Sequence, residues 1–210
     1  MGVDLNSSVD AFLKDLASRR PTPGGGSAAA LVGSVAGSLG SMVCRLTVGK
    51  KGYEDVTEAF RGYSREIREP RQRLHALVSD DADAFETVMA AFRMDESTPE
   101  KKESRTAVIQ VALKKAAEVP LETARHCGTI LRLLRAMAEG ANKNAVSDVG
   151  VAAHLGLAAL RSAFLNVDIN LASISDSAFA EQLSEEVSRL EQNAVKDHGE
   201  TITIVERRLR

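Results

Sequence analysis

The stretch RRPTPGGGSAAALVGSVAGSLGSMVCRLTVGKKGY, Arg19 to Tyr53, decides how the chain is read. Three glycines follow Pro-Thr-Pro, and no charge occurs between Arg20 and Arg45. Two lysines and a tyrosine then arrive together. A membrane span would need about 20 predominantly apolar residues. Here the strong hydrophobes are only Leu31, Val32, Val35, Leu39, Met42 and Val43, among Ala, Gly and Ser, so a span is not expected. Gly33, Gly37 and Gly40, with Ala30, Ala36 and Ser34, instead let other helices approach the backbone closely. A helix that is small and apolar all round belongs at the centre of a bundle or in a dimer interface.

The glycines invite a phosphate-loop reading, and context removes it. Gly24-Gly25-Gly26-Ser27-Ala28-Ala29 satisfies GxGxxA, but no strand precedes it and no βαβ unit follows. Gly49-Lys50 has no Gly five positions earlier, and Lys51 stands where a P-loop has Ser or Thr. Two readings remain for the turn. Glycines before a helix N-terminus can expose N–H groups to a ligand, or they can simply join two helices.

Outward from this segment the spacing is helical throughout. Val9, Phe12, Leu13 and Leu16 form one stripe, with Asn6, Ser7 or Ser8 as caps. Ser27 is the expected cap of a helix to Thr47. Glu54 to Met94 reads as helical, kinked or broken at Pro70. Ser97, with Glu100 three residues on and Pro99 in the first turn, opens the next helix. That helix is predicted to end near Val119-Pro120, and Pro120 to open another to about Gly140. Ser147 or Asp148 caps a helix to Phe164, Asn166 to Asn170 forms a short break, and Ser175 or Asp176 opens a last long helix. No run alternates as a strand would. The expectation is an all-α chain forming a single domain over 1–210, a bundle of about seven helices around a central small-residue helix.

Composition excludes several functions. Apolar residues make up 44% of 210, enough for a substantial core. With 27 basic and 29 acidic residues the net charge is −2, which gives no electrostatic reason to expect nucleic acid. Cys44 and Cys127 lack CxxC partners, which points to a reducing compartment. The N-terminus does not read as a signal peptide, and Asn6 stands where a myristoylation motif has Ser or Thr. A cytoplasmic location is therefore expected. His75, His126, His154 and His198 are scattered, so no metal site is expected, and no GxSxG is present.

Three polar clusters carry candidate chemistry. In Ser79-Asp80-Asp81-Ala82-Asp83-Ala84-Phe85, Asp81 shares a face with Phe85 and points inward, where a carboxylate is costly unless paired or functional. Asp80 and Asp83 are read as solvated. Lys50, Lys51 and Tyr53 can hold a flat anionic ligand, or the lysines can complement a helix end. Asn166 and Asn170 lie among Phe164, Leu165, Val167, Ile169 and Leu171, where their amides need partners. Asn142 precedes Ser147-Asp148, and Asp148 is either a cap or a functional carboxylate.

In this order the segments resemble one family. They are Pro23-Gly24-Gly25-Gly26-Ser27-Ala28-Ala29, Met42-Val43, Leu46-Thr47, Gly49-Lys50-Lys51 with Tyr53, Asp81 with Ala84-Phe85, Val119-Pro120-Leu121, Asn142…Ser147-Asp148 and Asn166-Val167…Asn170-Leu171. The chain is similar to the formiminotransferase-cyclodeaminase C-terminal domain family from about Val9 to Phe179. Stand-alone bacterial members include methenyltetrahydrofolate cyclohydrolases. Ala141 departs from the Gly usual before the Asn, and Pro70 interrupts a helix expected to be continuous. The resemblance implies a self-contained folate enzyme that dimerises and uses no metal or further cofactor. First expected is formiminotetrahydrofolate cyclodeaminase, which closes 5-formiminotetrahydrofolate to 5,10-methenyltetrahydrofolate with loss of ammonia. The alternatives are methenyltetrahydrofolate cyclohydrolase and a non-catalytic folate-binding dimer. The implied catalytic residues are Asp81, Asp148 and Lys50. The implied substrate contacts are Pro23, Gly24, Gly25, Gly26, Ser27, Lys51, Tyr53, Asn142, Asn166 and Asn170.

Overall fold

The computed structural model describes residues 8–210. Among them are seven α-helices and no strand: α1 (Val9–Leu16), α2 (Gly25–Thr47), α3 (Thr57–Glu66), α4 (Arg68–Phe92), α5 (Pro99–Ala138), α6 (Val146–Leu171) and α7 (Ser177–Leu209). Single 3-10 turns, Glu54–Val56 and Lys143–Ala145, precede α3 and α6. Ser8 caps α1 by accepting from the Ala11 N–H at 3.2 Å; the alternative caps Asn6 and Ser7 lie outside the described residues.

Helix α2 lies against α4, α5 and α6. Its glycines lower helix propensity by about 1 kcal/mol each, and close packing offsets that cost. A Cβ at Gly33 would sit 2.7 Å from Cys127 Sγ, one at Gly37 2.9 Å from Ile130 Cδ1, and one at Gly40 2.6 Å from Ile67 Cδ1. Leu74, Leu77, Leu131, Leu134 and Leu160 fill the space between the helices and are fully buried. Both α2 and α6 are long and apolar enough to cross a membrane, yet 56% and 50% of their apolar windows are buried within the bundle. The described contacts show α6 antiparallel to α2: Asn142 bonds the end of α2 at Leu46 and Thr47, while Asn166 lies beside Gly25 at its start.

Several expected boundaries shift. The cap of α2 is Gly24, not Ser27, whose hydroxyl is used elsewhere. The break expected at Pro70 falls at Ile67, because proline is tolerated in the first turn of α4. Thr98, rather than Ser97, caps α5. Neither Ser147 nor Asp148 caps α6; the preceding 3-10 turn leads straight into it at Val146.

Two predicted breaks are absent. Helix α5 runs 40 residues through Pro120, although an interior proline removes one bond and costs about 3 kcal/mol. The carbonyl left without its i+4 donor is that of Ala116, and it accepts from Asn170 Nδ2 at 3.2 Å. Helix α6 likewise runs through Asn166 and Asn170 to Leu171. Their amides bond back to carbonyls one turn earlier, Asn166 to Ser162 at 2.8 Å and Asn170 to Asn166 at 2.7 Å.

Candidate active site

At the N-terminal end of α2 a cleft of about 410 Å³ opens between the Pro21–Gly26 turn, α4, α5 and α6. That volume suits a small organic ligand. Asp81 is on its wall, placed by α4 one turn before Phe85. Its Oδ2 accepts from Ser27 Oγ at 2.9 Å, and the Ser27 backbone N–H also bonds the carboxylate. Gly24 has no side chain with which to cap α2, so Asp81 satisfies an open N–H of the first turn from another helix. The helix dipole favours a carboxylate here. Burial nevertheless prevails and pushes the Asp81 carboxyl above its ordinary value, against the lowering effect of the Ser27 bonds.

The glycines make this approach possible. A Cβ on Gly26 would lie 2.0 Å from Asp81 Oδ1, so only glycine fits. At Gly25 a Cβ would meet the Asn166 amide at 3.5 Å, which is ordinary contact. Gly24, Gly25 and Gly26 line the cleft; Pro23 is buried in the turn behind them, in a cis peptide with Thr22. Asn166, beside Gly25, and Asn170 line the cleft as well. Phe85, Val88, Met89 and Phe92 form an apolar side of the cleft. Their signal was in the sequence, since they continue the face of Asp81 at helical spacing. Pro21, Thr22, Ala116 and Ile169 also line it and carried no such signal.

The remaining candidates are elsewhere in the chain. Lys50 and Lys51 occupy an exposed turn between Gly49 (φ +71°) and Gly52 (φ +86°), conformations that favour glycine. Neither lysine makes an ion pair among the described residues. The Tyr53 hydroxyl accepts from the Lys143 N–H at 2.8 Å. Asn142 donates through Nδ2 to Leu46 O at 2.8 Å, and its own N–H donates to Thr47 Oγ1 at 3.0 Å. Ala141, buried, gives its carbonyl to Arg208. Asp148 is half-buried in the first turn of α6. All of these sit at the C-terminal end of α2, about 34 Å from the cleft by the rise of 23 helical residues. Within one chain the candidates therefore fall into two groups, one at each end of α2. Helix α2 is a rigid spacer between two groups that the sequence places only tens of residues apart.

A family profile described as formiminotransferase-cyclodeaminase matches residues 8–189. The chain belongs to the formiminotransferase-cyclodeaminase family. It is an enzyme of the cyclodeaminase or cyclohydrolase type. It is 43% identical over 185 residues to methenyltetrahydrofolate cyclohydrolase of Methylorubrum extorquens, covering 88% of this chain and 89% of the relative. Formimidoyltransferase-cyclodeaminase of Gallus gallus is 33% identical over 97% of this chain, which spans only 38% of that longer protein. The crystal structure of formiminotetrahydrofolate cyclodeaminase from Thermotoga maritima superposes with a TM-score of 0.87 at 35% identity, covering 96% of both chains. Relatives named for either activity thus match this chain.

Proposed function

We propose that the protein is a methenyltetrahydrofolate cyclohydrolase, converting 5,10-methenyltetrahydrofolate and water to 10-formyltetrahydrofolate. One observation carries the choice: Asp81 is the sole ionisable side chain among the described residues lining the cleft. Hydrolysis of a cation needs an anion beside it and one base for water. Water attacks the methenyl carbon and gives a proton to Asp81. The carbon–N5 bond then breaks, and N5 takes the electron pair and that proton. The hydroxyl proton leaves to solvent as the formyl carbonyl forms on N10, so one proton is released per turnover. A carboxyl held above its ordinary value is better matched to this exchange near neutrality than a solvated aspartate. The relative at 43% identity bears the same name and has nearly the same extent.

The first expectation, cyclodeaminase, remains the second reading, favoured by the Thermotoga maritima structure. It requires a proton for departing ammonia, and within one chain no lysine or histidine lines the cleft to give it. The two are separated by offering purified protein 5,10-methenyl- and 5-formiminotetrahydrofolate in turn. Loss of the methenyl absorbance above the spontaneous rate, with no ammonia from the formimino compound, is the expected result. Ammonia release with growth of the methenyl absorbance would instead make the protein a deaminase. No reaction with either would overturn both readings and leave a folate-binding protein.

The working form is proposed to be a homodimer. Ala28, Val32, Val35, Leu39, Met42 and Leu46 recur along α2 in alternating steps of four and three, the spacing of a helix-pairing seam. Val35, Met42 and Leu46 are exposed on it. On α6, Val151, Leu155, Ala158, Ser162, Leu165 and Ile169 repeat the spacing, with Leu165 70% and Ile169 71% exposed. A second copy, antiparallel across this face, covers both ridges. The two-fold axis then carries Lys50 and Lys51 of the partner subunit toward the mouth of the cleft, where they meet the glutamate carboxylates of a folate, a benzoyl ring away from N5 and so not placed as the acid for departing ammonia. No metal or further cofactor is assigned a role, and a cytoplasmic location accords with this chemistry.

A further inference from the structure

Val119-Pro120-Leu121 was part of the family resemblance, and nothing in the proposed chemistry uses it. Its position makes it informative. Pro120 is buried inside α5, and the carbonyl it deprives of an N–H partner is that of Ala116, a residue lining the cleft. From α6, Asn170 Nδ2 donates to Ala116 O at 3.2 Å and to Asn166 O at 2.7 Å. Both amide hydrogens of Asn170 are thereby committed to main-chain oxygens. Reversing the amide would set its oxygen against two carbonyls, so the orientation is determined by chemistry. The Oδ1 atom is left without a protein partner, and it is not among the buried unsatisfied atoms, so it remains open to a ligand. Asn166 is held in the same sense by Ser162 O at 2.8 Å.

We propose that Pro120 is a positioning residue for ligand recognition: by freeing the Ala116 carbonyl it anchors the Asn170 amide, turning Asn170 Oδ1 into the cleft as an acceptor for an N–H-bearing heterocycle edge. Asn166 Oδ1 and the Asp81 carboxylate add further side-chain acceptors to the lining of the cleft. The edge that complements them carries donors, as the 2-amino and N3–H edge of a pterin does. A carbonyl oxygen set against Asn170 Oδ1 would meet a lone pair and is disfavoured there. This assignment rests on the folate reading and specifies which edge of the substrate is read.

The test is calorimetric titration with the stable folate 5-formyltetrahydrofolate, alongside thermal melting. Asn170→Ala removes the acceptor and is expected to weaken binding about 3- to 10-fold, the worth of one hydrogen bond. Pro120→Ala restores the helical N–H, so the Ala116 carbonyl no longer needs Asn170. It is expected to leave the melting temperature equal or higher while weakening binding several-fold. A packing role would move both measurements the same way. In the double variant Pro120→Ala should add nothing to Asn170→Ala. Independent, additive losses, or a wild-type affinity in both single variants, would overturn the inference while leaving the folate reading in place. Should Pro120→Ala fail to fold, the Asn170→Ala affinity alone decides. Wild-type protein that binds neither 5-formyl- nor 5,10-methenyltetrahydrofolate would remove the folate reading, and this inference with it.

Discussion

Asp81 satisfies two demands that usually conflict. It closes the open N-terminal turn of α2 through Ser27, and in the proposed hydrolysis it exchanges a proton with substrate. Because burial raises its carboxyl, the acid limb of the rate profile should lie above the ordinary aspartate range near 4, which a kcat against pH series will show. Asp81→Asn should abolish turnover, at least a hundred-fold by the usual scale of general base catalysis (~10²), with helical content by circular dichroism retained. Stability should respond with a definite sign. An acid whose folded value exceeds its unfolded one weakens the native state at high pH, and this penalty disappears once both forms are protonated. Asp81→Asn should therefore melt level with the wild type in acid and at or above it near pH 8. Gly26→Ala tests the same geometry from the other side. Its Cβ would enter the space of Oδ1, so it should lose activity much as Asp81→Asn does. Gly25→Val, against the Asn166 amide, should mainly weaken folate binding in the same titration.

At the scale of elements, α2 shows how composition and position divide the work. Its small residues face α4 and α5 at distances where a side chain would collide with Leu74, Cys127, Ile130 or Ile67. Gly37→Val should cost about 1–3 kcal/mol of stability by overpacking, read as a lower denaturant midpoint, while an exposed site such as Ser38 should tolerate Ala. The helices around α2 were legible from spacing, because amphipathic periodicity survives any tertiary context. The two false breaks have one cause. Pro120 and the Asn166–Asn170 pair each look disruptive along the chain, yet across the α5–α6 contact each supplies what the other lacks: an unbonded carbonyl and an amide donor. That compensation is invisible to local reading. Ser27 shows the same limit, since it resembles a cap and instead serves the carboxylate of another helix.

For the whole molecule, the separation of the candidate residues is the main consequence of the fold. Asp81, the glycine turn, Asn166 and Asn170 gather at one end of α2, whereas Lys50, Lys51, Tyr53 and Asn142 gather at the other. The α2–α6 ridges give a reason to expect a second copy between them. Val35→Glu on the α2 ridge should convert a dimer to monomer in sedimentation and remove activity, with helical content unchanged. If the partner's Lys50 completes each cleft, Asp81→Asn and Lys50→Ala proteins, each inactive alone, should regain about a quarter of wild-type activity when subunits are exchanged, because half the dimers become mixed and each mixed dimer has one intact site. No recovery on mixing would place each site within a single chain.

By itself, the sequence determined the helical class, the small-residue character of α2, the inward aspartate and the family, because each depends on residue type at short spacing or on ordered motifs. Which of the polar residues share a cleft was decided only by the tertiary structure. The physical reason is that α2 is stiff and about 34 Å long. Residues at its two ends are close in the chain and far apart in space, and the partners that satisfy Pro120, Ser27 and Asp81 come from other helices altogether.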